Sequence, residues 1–466
     1  LTLSTAQQFV RKLGPGLITG AADDDPSGIA TYSQAGAEFR FALVWTLLVT
    51  TPLMIGIQML SARIGLITGE GLAANINKTC PRWLSVSLIW LLVAANTINI
   101  AADVAAVGQA IQLLLGGRLA IYIFGFGALC ITMQIYFSYE RSVRIFKWLT
   151  LALFAYVAVV LSVSIPWAQV FAESVQPWAF LPKDTSFKEY AALVVAVLGT
   201  TISPYLFFWQ AAQEVEDAKR RPEYRPERRH PVQVAMHLSR IKQDTYVGMI
   251  FSNAIALCIV IATAVTLNEH GITSIQTSAQ AAQALRPIAG DFAFAIFSLG
   301  IIGTGLLAVP VLAGSAAYAV SEVNGWTSGL SHGFREAKGF YTIIILATSI
   351  GAAMGYFEMD PIKALVWSAI INGVISVPIM AALMFIGQSK QLMGKHTISR
   401  HHRFLGWFAT ILMAVAVLVM FATSVEVARQ PKLRIVSRVN GFFIGFEAEH
   451  GGEGLKSFFP RAGHTG

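Results

Sequence analysis

Two short stretches put oxygen chemistry inside runs that are otherwise apolar. Residues 21–30 read AADDDPSGIA, so Asp23, Asp24 and Asp25 are followed at once by Pro26-Ser27-Gly28. Far downstream, VAVLGTTISPYLFFWQAAQ sets Gly199-Thr200-Thr201 and Ser203-Pro204 in the middle of a second apolar run. Proline removes a backbone donor and clashes with the preceding turn, and the residue before it is pushed out of helical geometry. Each stretch is therefore expected to break a helix and leave carbonyls, hydroxyls and, in the first, a carboxylate facing one another. Carboxylates, carbonyls and waters are the ligands of hard divalent cations. The alternative for the first stretch is an ordinary cap, with the true helix beginning at Gly28. That would leave only about nine apolar residues before Arg40, too few to cross a bilayer.

The rest of the chain supplies the elements that must hold these stretches. It has 466 residues, 55% hydrophobic and only 13% charged, with a mean hydropathy of +0.59. A soluble domain carries about 25% charged residues, so a polytopic all-α membrane protein is expected. Apolar runs of membrane-crossing length predict eleven spans, at about 14–37, 41–66, 83–115, 118–138, 145–169, 188–214, 242–266, 289–320, 339–357, 361–387 and 403–424. The interrupted spans are then the first and the sixth. Two interrupted segments at corresponding positions of two halves point to a transporter built from inverted repeats, with a site near mid-depth. The halves are residues 1–170 and 187–387, followed by an eleventh span at 403–424 and a loosely ordered tail over 429–466.

A net charge of +8 does not signal nucleic acid, because the basic residues fall in alternate loops. Clusters at Arg11/Lys12, Lys78/Arg82, Arg141/Arg144/Lys147, Lys219 to Arg229, Arg335/Lys338 and Lys390 to Arg403 lie on one side. Sparse loops with Arg40, Arg118, Arg286 and Lys363 lie on the other. The positive-inside rule then gives a cytoplasmic amino terminus, in a plasma (inner) membrane. Cys80, Cys130 and Cys258 are too scattered for a disulfide framework or a zinc site. No signal-peptide cleavage pattern is visible, and the chain opens at Leu1, so a native start is expected further upstream. No GxxxxGK[ST] motif appears, which disfavours an ATP-driven pump.

The pattern GPGLITGAADDDPSG, with IGLITGEGLA after the second span, resembles the Nramp family of divalent-metal transporters over residues 12–425. The resemblance implies the LeuT-like fold of two inverted five-helix repeats. It also implies a metal site at the span-1 Asp and Asn, a backbone carbonyl and a span-6 Met. Here Asp25 keeps the carboxylate, Gly28 stands for the Asn and Ser203 for the Met, while Thr200 falls where the family offers a carbonyl. The family's span-6 histidines correspond to Tyr205 and Gln210; in span 3 Asp103 is kept and the family's Glu is Ala106. Losing the thioether removes a soft ligand, and losing the histidines removes a proton relay near neutral pH. The chain thus looks like the Nramp-related magnesium transporters.

These residues lead to one midplane site for Mg²⁺, also accepting Mn²⁺, with the ion keeping part of its water shell. Asp25 would supply the charge, the carbonyls of Ala22 and its neighbours oxygen ligands, and Thr200 and Ser203 a carbonyl or hydroxyl through water. Asp23 and Asp24 would line an inward vestibule or simply be solvated. Asp103 would line the path or satisfy a neighbouring span. Asn96, Asn99 and Asn372 would touch the ion's waters or make interhelical hydrogen bonds. Glu214, Glu216 and Asp217 read as a solvated inner mouth. The expected carrier is no enzyme, holds no cofactor and is monomeric. Its rivals are a proton-coupled transition-metal importer and a sodium-coupled symporter of small organics, though an acid at the break would repel a substrate carboxylate.

Overall fold

The computed structural model describes residues 19–20, 22–136, 153–179, 186–220, 231–357, 360–429, 433–436 and 445–448. The fold is all-helical across its apolar length. Helical geometry at residues 19–20 and 22–23 stops at Asp24, and α1 (Pro26–Phe39) starts again after Asp25. Then come α2 (Val44–Thr68), the short α3 (Leu72–Thr79), α4 (Arg82–Leu115) and α5 (Leu119–Tyr136). Next are α6 (Phe154–Ser162), α7 (Trp167–Val175), α8 (Phe187–Thr201), α9 (Pro204–Arg220) and α10 (Pro231–Thr266). The last are α11 (Ala293–Asn324), α12 (Lys338–Tyr356), α13 (Pro361–Gln388) and α14 (Arg400–Arg429). Among the described residues nine helices are long and apolar enough to cross a membrane, with α8 and α9 taken together, or ten if α6 and α7 form one span.

The first break has a local cause. Asp25 is the N-cap of α1, in extended backbone, with its side chain accepting from the Gly28 N–H and Pro26 at the first helical position. Asp as cap and Pro at the first position are the residues a helix start prefers, so they restart a helix inside what composition alone would call one span. The 14 residues of α1 reach about 21 Å at about 1.5 Å per residue, short of a hydrocarbon core of about 30 Å. The other half of this span lies mostly outside the described residues. The second break follows Thr201: Ile202 caps α8, and Ser203 carries the chain into Pro204 at the head of α9.

Two boundaries differ from the sequence expectation. The fifth span, expected over 145–169, does not run straight to its end: α6 stops at Ser162, and α7 leaves at 116° to it. Pro166, at the foot of α7, cannot continue a helical ladder. Residues 137–152, with the Arg141/Arg144/Lys147 cluster, lie outside the described set, as do residues 221–230 of the densest basic run. The helix of the expected seventh span, α10, begins at Pro231 rather than near 242, because its first turns mix charged and polar residues with apolar ones and fall short of the hydropathy of a membrane run. In the tail, Leu433–Val436 (β1) and Gly445–Ala448 (β2) pair antiparallel.

The breaks are held at the centre of the bundle. α4 packs against α11, α12 and α13, while α1 packs on α8, α10 and α13. α8 lies against α13 so closely that a Cβ on Gly199 would collide with the Ala369 carbonyl and the Gly373 backbone. This contact seats the second break beside Asn372 on α13. Gly199→Ala should therefore lower the apparent melting midpoint of the purified protein, by the equivalent of about 1–3 kcal/mol for overpacking. Gly125→Ala, with open space at its Cα, should leave the midpoint unchanged or raise it. Equal midpoints for the two variants in a detergent melt would show that the helix contact tolerates a methyl.

Candidate cation site

Asp25 is 1% exposed and accepts hydrogen bonds on both carboxylate oxygens. Its Oδ1 accepts from the Ser27 hydroxyl at 2.7 Å and the Gly28 N–H at 2.6 Å. Its Oδ2 accepts from Asn99 Nδ2 at 3.1 Å and, more weakly, from the Tyr205 hydroxyl at 3.5 Å. Every partner is neutral. Among the described residues no Lys, Arg or His pairs with Asp23, Asp24, Asp25 or Asp103.

The two breaks meet here. Tyr205, in the first turn of α9, donates to the Ala22 carbonyl at 3.1 Å, tying the second break to the freed carbonyl of the first. A Cβ built on Gly28 would lie 3.2 Å from Thr200 Oγ1, 3.3 Å from the Asp23 carbonyl oxygen and 3.4 Å from Asp25 Oδ1. Glycine at this position therefore leaves a spot faced by three oxygens of three chemical kinds. Thr200 contributes its hydroxyl to that spot. Ser203 turns its hydroxyl back onto the Gly199 and Thr200 carbonyls, at 2.8 and 2.9 Å, so it closes the end of α8 and offers only its lone pairs.

Of the residues named from span 3, the structure brings Asn99 and Asp103 to the site. The Asn99 amide bridges Asp25 and Asp103, the latter at 3.2 Å, and its own oxygen accepts from Asn372 at 3.4 Å. The interhelical and site readings of Asn99 and Asn372 thus coincide. Asp103 Oδ1 and Asn372 Oδ1 are buried with no hydrogen-bond partner among the described residues, a condition that calls for water or an ion. Asn96, three residues before Asn99, points away to the Leu312 carbonyl and Ser315 on α11, at 2.9 and 2.8 Å.

The geometry narrows or corrects four expectations, Asn96 taking the interhelical one of its two readings. Asp23 and Asp24 are not solvated: each is 1% exposed, and the Ser252 hydroxyl on α10, with a single proton to donate, lies 2.6 Å from an Asp23 oxygen and 3.1 Å from an Asp24 oxygen. Gln210 is not at the site: it lies further along α9, accepting from Gln58 at 2.5 Å and donating to Thr245 at 3.1 Å. Asn96 is a helix tie. Glu214, Glu216 and Asp217 are not a solvated mouth either. Arg240 on α10 pairs with Glu214 at 2.9 Å and Asp217 at 3.1 Å. Glu216 accepts from Tyr318 on α11 and from the Leu330 N–H. At the opposite end lies a cleft of about 550 Å³ lined by Glu38, Glu189, Lys363 and Ile370 among others.

Sequence reasoning passed over Ser252 and Tyr32. Tyr32, fully buried on α1, turns toward Thr200 and the three aspartates. The one available signal was a hydroxyl amid apolar neighbours, which many core residues share. Among the described residues no three His, Cys, Asp or Glu side chains converge on one point, so any cation held here relies on carbonyls, amides, hydroxyls and water beside its carboxylates.

The family described as natural resistance-associated macrophage protein-like, Nramp, matches residues 16–423. The chain belongs to that family. As a member it is a multi-pass membrane transporter and not an enzyme. A protein of Verminephrobacter eiseniae named divalent metal cation transporter MntH is 27% identical over 422 residues, covering 87% of this chain and 86% of its own. The fold matches the manganese transporter of Eremococcus coleocola with a TM-score of 0.68 at 14% identity, over 92% of this chain and 90% of that one. It also resembles Mhp1, a nucleobase-cation-symport-1 family transporter, with a TM-score of 0.53 at 12% identity, over 90% and 92% of the two chains. The all-helical, LeuT-like fold class expected from the resemblance therefore stands.

The Ser252 contact generates a test. Ser252→Ala leaves two buried acids without their shared donor and should destabilise the protein by about 1.5–3 kcal/mol, the worth of a hydrogen bond to a charged group. Ser252→Thr should restore the melting midpoint in detergent. A midpoint unaffected by Ser252→Ala would mean that Asp23 and Asp24 do not depend on this hydroxyl.

Proposed function

We propose that this Nramp-type transporter carries Mg²⁺, and also Mn²⁺, as a partly hydrated ion between the broken first and sixth spans, alternating access without proton coupling. The observation that carries the reading is the ring around Asp25: one buried carboxylate, neutral oxygen and amide partners, and a glycine where a bulkier ligand would stand. Mg²⁺ sheds water reluctantly and takes one or two carboxylates while keeping several waters. A site with one direct carboxylate and hydroxyls at the edge of a glycine gap suits that habit. Asp25 would be the charged ligand. The Ala22 carbonyl, Thr200 and Ser203 would act beside it, and Asn99, Asp103, Tyr205 and Asn372 would hold waters or the carboxylate itself.

None of the side chains bonded to Asp25 carries sulfur or imidazole. A soft ligand to favour late transition metals and a group that titrates near neutral pH are both lacking there. This supports membership of the magnesium branch of the family. The name of the curated relative, a divalent metal cation transporter, and that of the structural neighbour, a manganese transporter, keep Mn²⁺ as the second cation. Residues 1–170 and 187–387 are read as the two inverted repeats, in a monomer of the plasma membrane with a cytoplasmic amino terminus.

Uptake into proteoliposomes tests the reading. Mg²⁺ should enter saturably with no change in internal pH, and Asp25→Ala should abolish that uptake. Mn²⁺ uptake with acidification and exclusion of Mg²⁺ would instead establish the proton-coupled alternative.

The gap at Gly28 gives a second test. Gly28→Asn sets an amide among Thr200 Oγ1, the Asp23 carbonyl and Asp25 Oδ1, displacing water. The ratio of Mg²⁺ to Mn²⁺ uptake should fall about tenfold, the effect of about 1.4 kcal/mol in relative binding. An unchanged ratio would place the ion elsewhere.

A further inference from the structure

A second cleft, of about 290 Å³, opens between α2, α10 and the start of α14, on the side that the positive-charge bias assigns to the cytoplasm. Its polar edge is basic: Arg63 on α2, Lys242 on α10 and His402 on α14. Its wall is apolar, with Met59, Ile241 and Ile398. No acidic side chain lines it, and among the described residues neither Arg63 nor Lys242 forms an ion pair. The neighbouring Arg240 differs, being committed to Glu214 and Asp217.

The basic groups are held rather than loose. Arg63 donates from one terminal nitrogen to the Thr397 carbonyl at 3.3 Å, while its Nε is buried without a partner. Lys242 lies over the Tyr246 ring, 5.8 Å from the ring centroid. His402 meets the Ser399 hydroxyl through Nδ1 at 2.8 Å. Along the same helices Tyr246 is 40% and Phe404 70% exposed, as side chains facing acyl chains would be. A basic edge therefore stands over an apolar wall at the ends of membrane-length helices.

We infer that this cleft binds the phosphate headgroup of an anionic phospholipid from the cytoplasmic leaflet, with Arg63 and Lys242 on the phosphate and the acyl chains along the apolar wall. Basic pockets between helices on this side are where anionic headgroups are taken up. A freely soluble anion would need only the charges, whereas the wall of Met59, Ile241 and Ile398 suits the lipid's hydrocarbon. The inference requires a bilayer-spanning chain and nothing about which ion is carried, so it stands or falls apart from the transport reading.

Native mass spectrometry of the full chain in detergent, titrated with phosphatidylglycerol or phosphatidylcholine, tests it. Phosphatidylglycerol should be retained in preference. Arg63→Gln and Lys242→Gln should each weaken it about fivefold, and the double variant about 25-fold. Arg63→Lys should keep the preference, as should Lys363→Gln at the opposite end of the bundle. Lys242 is exposed, so its single variant keeps the test decisive if the double variant does not fold. Equal retention of the two lipids, or unchanged retention in the Lys242→Gln variant, would overturn the inference. So would displacement of the lipid by glycerol phosphate at equal concentration, which would identify a site for soluble anions.

Discussion

The structure turns on one constraint: an aspartate buried at the centre of a helical bundle with, among the described residues, no positive side chain paired with it. An isolated buried charge costs several kcal/mol even after relaxation, and ionisable groups inside membrane spans mark function by default. Asp25 is tolerated because the chain is broken around it. An unbroken helix would already have used the Gly28 N–H that Asp25 accepts; ending one helical segment and starting another frees it. The start of α1 also brings the positive end of its helix dipole to the carboxylate. Break and charge are thus one device. Its donors are all neutral, so the local charge is left for a cation to balance.

The second break serves the first. α9 begins at Pro204, so the Tyr205 hydroxyl reaches the Ala22 carbonyl, and the last turn of α8 sets Thr200 beside Gly28. Neither reach would survive a sliding of α8 along α13, which the Gly199–Gly373 contact forbids. From the other side α4 supplies Asn99, whose single amide group spans two carboxylates. Moving α4 or α9 away removes a donor from Asp25. In the proposed function, occupation of the site and closure of the bundle would be coupled through these shared hydrogen bonds, the coupling a carrier needs for its cargo to bias one state over another. The ends of the bundle differ in the same sense. Acids of α9 are spent on Arg240, Tyr318 and the Leu330 N–H, whereas Glu38 and Glu189 border a cleft.

The features legible in the sequence were those with local causes. Proline, glycine and a capping aspartate act within a turn of themselves, so both breaks, and Asp25 between them, could be read before any tertiary contact was known. Apolar runs likewise marked the helices. What remained illegible depends on the residue that lies opposite. Asn96 and Asn99 sit on one helix three residues apart, some 60° around its axis, and their composition is the same. One meets α11 and the other Asp25 because α4 packs between them, and no spacing reveals this. The solvated alternative for Asp23 and Asp24 fails for a reason of the same kind: their partner Ser252 is more than two hundred residues away. The acids ending α9 looked like a charged rim because Arg240 precedes the apolar part of α10, in helical turns that hydropathy does not detect.

In the proposed function, selectivity would rest on one position, Gly28. At Gly28 the backbone adopts ordinary helical geometry, so nothing in its conformation requires glycine. The requirement lies in what surrounds it, three oxygens at the edge of contact with a Cβ that is absent. A larger side chain would have to push Thr200 or Asp25 aside, or become a ligand itself. With glycine the oxygens stay where they are and the space between them remains polar. Polar space bounded by one carboxylate favours an ion that arrives with its water, because each retained water can donate to the oxygens around it. An ion that binds by stripping its shell would gain only one strong ligand there. Under the proposed reading the missing side chain would select as much as any ligand present.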